Sequence, residues 1–173
     1  MKLLVAEDDY STADLYRRIL QGRGHDVTVV NRGEQCLKTY SEQLTIVRDS
    51  PPAHGHESPY DSVILDYKLP DINGLEVAKE ILTLNLHQRI IIVSAYASEI
   101  LSLDSGGSNL PMEVLEKPIS NEVLIDTVED TAIFNELKKF DLNIDAFKKG
   151  GFSHEQLRDA ADILKNVKGS GAI

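Results

Sequence analysis

Residues Ser62 to Gly74 read SVILDYKLPDING, and this stretch decides the fold. Ser62 to Leu65 is a short apolar run with no polar alternation, the pattern of a strand buried on both faces, as strands of parallel sheets are. It delivers Asp66 at its end. Pro70, Asp71, Asn73 and Gly74 are turn residues, and the helical pattern of Leu75 to Leu86 follows them. A buried strand, a carboxylate at its tip, a turn and a helix make one half of a strand–helix–strand unit.

The same unit recurs on either side. Lys2 to Ala6 (KLLVA) predicts a first strand, followed by the acids Glu7, Asp8 and Asp9. Ser11 and Asp14 form a capping box for a helix carrying Leu15, Tyr16, Ile19 and Leu20, which the glycines within Gln21 to Gly24 end. Val27 to Val30 is a second strand, and Gly33 to Val47 a helix with Cys36, Leu37, Tyr40 and Leu44 at helical period. Beyond the central stretch come the strand Arg89 to Val93 (RIIIV), a short helix around Ala97 to Leu103 and the breaker segment Asp104 to Asn109. A fifth strand, Val114 to Glu116, precedes a helix from Asn121 to about Phe140. Five such units predict an α/β fold with a doubly wound five-stranded parallel sheet, for which the flavodoxin-like order 2-1-3-4-5 is the economical arrangement. A C-terminal helical extension follows it.

Residues 48–60 (RDSPPAHGHESPY within them) hold three prolines and a glycine without periodicity. Helix-to-strand loops ordinarily run about 2–6 residues, so this is a long inserted loop in a domain spanning 1–140. His54, His56 and Glu57 lie in it without a full metal-ligand set, and are read as solvated loop residues. Residues 141–173 form the extension, with a short helix around Ile144 to Lys149. Ser153 and Gln156 then cap a helix bearing Leu157, Ala160, Ala161, Leu164 and Val167 on one face. That face packs on the chain's own domain, or it serves a homodimer or another partner.

The chain has 173 residues, 42% of them hydrophobic, and a formal net charge of −10. Such a length and apolar content bury a core. The charge, with no Lys/Arg cluster, predicts no nucleic-acid partner. No apolar stretch approaches the roughly 18 residues of a membrane span, and no secretory leader is recognisable; the expected location is cytoplasmic. The single cysteine, Cys36, is expected to be a buried apolar residue.

In doubly wound sheets the ligand site lies beyond the carboxyl ends of the strands. Those ends carry Glu7 and Asp8, then Asp66, Ser94 and Lys117. Neighbouring strands stand only about 4.8 Å apart, so Asp8 and Asp66 would repel unless a cation lay between them. Mg²⁺, which takes carboxylates, carbonyls, waters and phosphate oxygens in an octahedron, suits that position. Asp66 then has the chemistry of a carboxylate nucleophile toward a phosphoryl donor. Lys117 offsets charge on the transferring group, and Ser94 offers a hydroxyl.

The segments LLVAEDD, VILDYKLPDINGLEV, IIIVSAYA and LEKPI resemble the receiver domain of response regulators of two-component systems, in order and over roughly residues 1 to 140. By that resemblance Asp8 is a direct Mg²⁺ ligand and Glu7 acts largely through water. Asp66 is the phosphoacceptor, and the main-chain carbonyl of Lys68 is a further metal ligand. Ser94 turns toward the phosphoryl group, and Lys117, before a cis peptide to Pro118, contacts it. The implied role is a signalling switch rather than a metabolic enzyme, phosphorylated by a histidine kinase or phosphotransfer protein and read by a downstream protein. One position departs from the family pattern: Val114 stands where a Phe or Tyr usually precedes the lysine by three residues. A haloacid-dehalogenase-type phosphohydrolase would need an Asp at position 68, which is Lys. A nucleotide-binding flavodoxin-like protein would need glycines where Glu7 to Asp9 stand.

Overall fold

The computed structural model describes residues 1–49, 58–98, 100 and 112–138, with 131–138 followed as backbone, and in the last part residues 156, 158–161, 163 and 164. Two compact units are present, Met1–Ile119 and Ser120–Ile173. In the first, the elements are β1 (Lys2–Ala6), α1 (Tyr10–Gly22), β2 (Asp26–Val30), α2 (Gly33–Asp49), β3 (Ser62–Asp66), α3 (Gly74–Leu84), β4 (Ile90–Ser94) and β5 (Met112–Glu116). The second contains α4 (Asn121–Lys138) and the helical residues of the last part. The strands form one sheet in the order β2-β1-β3-β4-β5, all pairs parallel. This is the arrangement the sequence predicts.

Register fixes the site. Ala6 pairs with Val30 on one side and Leu65 on the other, and Asp66 pairs with Val93. The chain therefore leaves β1, β3 and β4 at one level of the sheet. Both β3 and β4 are buried throughout, which is why their sequences are continuously apolar. Leu4, Ala6, Val63, Leu65, Ile90 and Ile92 belong to one core cluster with Cys36, Tyr40 and Leu44 of α2 and Val77, Ala78 and Ile81 of α3. Leu3, Val5, Ile64 and Ile91, with the opposite parity, are equally buried but lie outside that cluster. Strand side chains alternate between faces, so both faces of the sheet are covered.

Local chemistry sets the ends of the helices. The side chain of Asp9 accepts from Thr12 N at 2.8 Å and caps α1. This corrects the expected start at Ser11: Asp9 already presents a carboxylate to the first free N–H groups, so the helix begins at Tyr10. At the other end Gly24 adopts φ 82°, its N–H bonds Gln21 O, and the His25 N–H bonds Leu20 O. That is a Schellman closure, and its left-handed position is one glycine occupies without penalty.

Cys36 is fully buried, as expected, and burial pushes its thiol up to about 12. The peptide between Lys117 and Pro118 is cis. In the second unit the Ser120 hydroxyl accepts from Val123 N at 3.2 Å at the start of α4, and Arg158 pairs with Glu129 at 2.5 Å. Ala97, Ser98 and Ile100 are helical. Several expectations lie outside the described residues: most of the 48–60 loop with His54, His56 and Glu57, the remainder of the 97–103 helix, the 140/141 boundary and the 144–149 helix. Among the described residues no helix is long and apolar enough to cross a membrane.

Candidate functional site

Five of the six residues singled out by the sequence lie at the carboxyl ends of β1, β3, β4 and β5. Glu7 and Asp8 follow β1, Asp66 ends β3, Ser94 ends β4 and Lys117 follows β5. The sixth, Lys68, lies two residues beyond Asp66. Main-chain bonds hold these ends together: Glu7 N donates to Val30 O at 3.1 Å, Tyr67 N to Val93 O at 3.2 Å and Lys117 N to Ser94 O at 2.8 Å.

Glu7, Asp8 and Asp66 each offer a carboxylate oxygen, and the three oxygens lie within 4.8 Å of one another. Glu7 and Asp66 are buried and Asp8 is exposed. Lys117 Nζ bridges the buried pair, donating to Glu7 Oε2 at 2.9 Å and to Asp66 Oδ1 at 3.0 Å. Burial raises the Glu7 carboxyl above its ordinary value; the Lys117 hydrogen bond opposes the rise, and the charge of Asp66 adds to it. For Lys117 burial acts downward, yet the bonds and charges of Glu7 and Asp66 outweigh it and hold the ammonium above the usual lysine range. The lysine is therefore charged at neutral pH, and one cation faces three acids. Oxygen donors in excess of local positive charge are what a small hard divalent ion requires, so the residues fit Mg²⁺.

A cleft of about 250 Å³ opens beside these acids, lined in part by Asp8, Tyr10, Arg17, Asn31 and Gln35. It leaves the exposed carboxylate of Asp8 reachable from solvent. Ser94 is buried, and its Oγ accepts from Tyr96 N at 2.9 Å. The Lys68 side chain turns to Tyr96, with Nζ 2.9 Å from the phenolic oxygen and 4.4 Å from the ring centre. Val114 is a half-buried residue packed against the core cluster, paired with Ile92.

The loop after Asp66 is held from two directions. Gly74 N donates to Tyr67 O at 2.9 Å, and a Cβ on Gly74 would stand 2.2 Å from Asp66 O. Only glycine permits that approach. Asp71 reaches back to the start of α2, accepting from Gly33 N at 2.8 Å and Glu34 N at 3.0 Å, and also from Ile72 N at 2.9 Å. Burial acts to raise the Asp71 carboxyl, but these backbone donors prevail and hold it well below the usual range. Sequence reasoning treated Asp71 as a turn residue and missed this role. The available signal was Asn73, which caps α3 by accepting from Glu76 N at 2.9 Å, so that Asp71 is not needed for that cap.

Residues 3–129 match the family model described as the response regulator receiver domain. Among curated proteins, the chain is 27% identical over 139 residues to the sensory/regulatory protein RpfC of Xanthomonas campestris pv. campestris, covering 77% of this chain and 17% of that protein. It is 30% identical over 115 residues to the DNA-binding response regulator MtrA of Mycolicibacterium smegmatis, covering 65% and 43%. Among solved structures it is similar to the response regulator protein TrrA of Thermotoga maritima in complex with Mg²⁺-BeF. That likeness has a TM-score of 0.58 and 29% identity, and covers 75% of this chain and 96% of that one. The chain thus spans less than half the length of these curated relatives. One of them is named for DNA binding, so the acidic charge of this chain does not decide whether a nucleic acid is among its partners.

Proposed function

The chain belongs to the response regulator receiver domain family, and from that premise we propose that it accepts a phosphoryl group on Asp66 in a Mg²⁺-dependent reaction. The donor is a histidine kinase or phosphotransfer protein. The observation that carries this reading is the Lys117 ammonium, bonded at once to Glu7 and Asp66 beside the exposed Asp8. A purely structural ion pair needs one acid, whereas this lysine stands among three.

In the transfer, an Asp66 carboxylate oxygen attacks phosphorus while the P–N bond of a phosphohistidine breaks. The bonding pair leaves with the imidazole, which takes up a proton. Lys117 is placed to follow the charge onto the phosphoryl oxygens, and Ser94 to donate a hydroxyl hydrogen bond to them. Glu7, Asp8 and Asp66, with the main-chain carbonyl of Lys68, would hold the metal. Mg²⁺ bound there supplies positive charge that lets an anionic donor approach an anionic acceptor. Water later cleaves the acyl phosphate, releasing inorganic phosphate and restoring the carboxylate. The product is a signalling state read by a downstream protein, so the chain acts as a cytoplasmic switch and not as a metabolic enzyme.

The test is the intact mass of the chain after incubation with acetyl phosphate, with and without Mg²⁺, for the native protein and Asp66→Ala. One Mg²⁺-dependent phosphoryl adduct, lost in the variant, is the expected result. An adduct that persists in Asp66→Ala removes the acceptor assignment. No adduct, together with failure to bind beryllofluoride, favours an interaction module that is never phosphorylated.

A further inference from the structure

Two of the hydrogen bonds that hold Tyr96 lead to groups at the phosphoryl-acceptor site, while its carbonyl accepts from Ile100 N at 3.1 Å. Its backbone N–H is bound by Ser94 Oγ at 2.9 Å, and its phenolic oxygen and ring by Lys68 Nζ at 2.9 Å and 4.4 Å. Ser94 ends β4 beside Asp66, and Lys68 follows Asp66 by two residues. Tyr96 is 37% exposed, so its ring rests at the surface and not in the core. We propose that Tyr96 is the moving element of this switch, released when a phosphoryl group on Asp66 competes for Ser94 and Lys68. The inference rests on Asp66 being the acceptor.

The physical argument is competition for donors. A phosphoryl group brings about −1.5 to −2 charges and three strong acceptor oxygens. Charge-assisted hydrogen bonds are shorter and stronger than neutral ones. The bond from the Lys68 ammonium to Tyr96 goes to a neutral phenol at an exposed position, and a dianionic phosphoryl group competes with that phenol for the ammonium. The Ser94 hydroxyl, now an acceptor for a backbone amide, gains by becoming a donor to a phosphoryl oxygen. Each change loosens a different end of Tyr96, so one event acts on backbone and ring together. Val114, half-buried on β5, has no ring to move, which leaves Tyr96 as the aromatic side chain tethered to both neighbours of Asp66.

The six tyrosines allow a direct test by 3-fluorotyrosine labelling and fluorine NMR, with the Tyr96 signal identified by its loss in Tyr96→Phe. Tyr40 and Tyr60, stacked on one another in the core, are the fixed references. Addition of Mg²⁺ and beryllofluoride is expected to displace the Tyr96 signal and leave those two in place. Lys68→Met, which removes one tether, is expected to displace it part of the way without any beryllofluoride. Lys68→Arg, which retains a cation over the ring, is expected to keep it at the native position. A Tyr96 signal that stays put in a chain that forms the acetyl-phosphate adduct overturns this inference and leaves the acceptor reading intact. A native-position signal in Lys68→Met overturns it as well. Absence of both adduct and beryllofluoride binding overturns the acceptor reading, and this inference with it.

Discussion

The Lys117 ammonium donates to Asp66 Oδ1 at 3.0 Å while the same nitrogen holds Glu7 Oε2 at 2.9 Å. The lysine side chain is 27% exposed, and the two carboxylates are 9% and 3% exposed. The pairing is therefore mostly sheltered from solvent screening, and removal of the cation leaves two acids facing each other.

Lys117→Met keeps the aliphatic stem and removes the charge. Loss of one partner of a buried pair is expected to cost about 2–3 kcal/mol, seen as a lower urea midpoint. Because Lys117 is the cation bonded to both Glu7 and Asp66, Mg²⁺ is expected to stabilise the variant, which lacks it, more than the native chain. Equal Mg²⁺-induced shifts in the two proteins would show that the metal does not occupy this acid cluster.

Gly74→Ala places a methyl group 2.2 Å from Asp66 O and 2.9 Å from Asp66 C. These are backbone atoms, which cannot swing aside as a side chain does. The expected loss is about 1–3 kcal/mol or more, with phosphorylation impaired as Asp66 is displaced. Gly22 has no atom within 4 Å of the corresponding position and lies inside α1, so Gly22→Ala should instead gain about 0.5–1 kcal/mol. Urea titration of both variants checks the opposite signs.

Asp71→Asn keeps one acceptor oxygen and Asp71→Ala none. Amide hydrogen exchange at Gly33 and Glu34 should accelerate in the order native, Asn, Ala, since those N–H groups rely on the carboxylate. Its depressed folded-state ionisation has a defined sign. The stabilisation is present above the ordinary carboxylate range and is lost as pH falls below it. Acid titration of the unfolding midpoint should accordingly be shallower in Asp71→Ala than in the native chain.

Cys36 gives the alkaline counterpart. Its thiol is raised from 9.0 to about 12 by burial, so the folded state holds the proton that the unfolded state releases. Stability is full below pH 9 and falls as pH rises from there toward the folded value, by about 1.4 kcal/mol per unit. Cys36→Ala, measured by urea unfolding between pH 8 and about 10.5, should show a flatter decline. Thiol reagents at pH 8 should label the native chain only through opening of the fold.

How far the sequence reveals this arrangement depends on the range of each interaction. The apolar runs ending at Ala6, Asp66 and Ser94 announce the sheet because burial on both faces leaves no room for alternation. Glu7, Asp8, Asp66, Ser94 and Lys117 follow once the strands are aligned, since the sheet order alone brings their ends together. The α1 start shows the limit of short patterns: Ser11 with Asp14 satisfies a capping box, but Asp14 instead pairs with Arg17 and Arg18 and Asp9 takes the cap. Asp71 and the Lys68–Tyr96 link were hidden for another reason. Their partners lie 38 and 28 residues away, and no local periodicity records which loop tip meets which helix. Gln88 is similar: it accepts from Tyr40 OH and donates to Tyr60 O in the interior, a polar bridge that its exposed-looking context in LHQR does not suggest.

The central place of β1 has a consequence for biosynthesis. It lies between β2 and β3, both of which are made after it. At translation rates of about 5–20 residues per second, Leu3 to Val5 must wait for Val27 to Val29 and again for Ser62 to Ile64, their partners in register. During that interval the strand is an apolar segment with unpaired edges, the form most prone to join a neighbouring nascent chain. Glu7, Asp8 and Asp9 stand directly after it, and charges beside an apolar strand oppose such pairing. The acids that gather at the finished site thus also guard its oldest strand before the rest of the sheet exists.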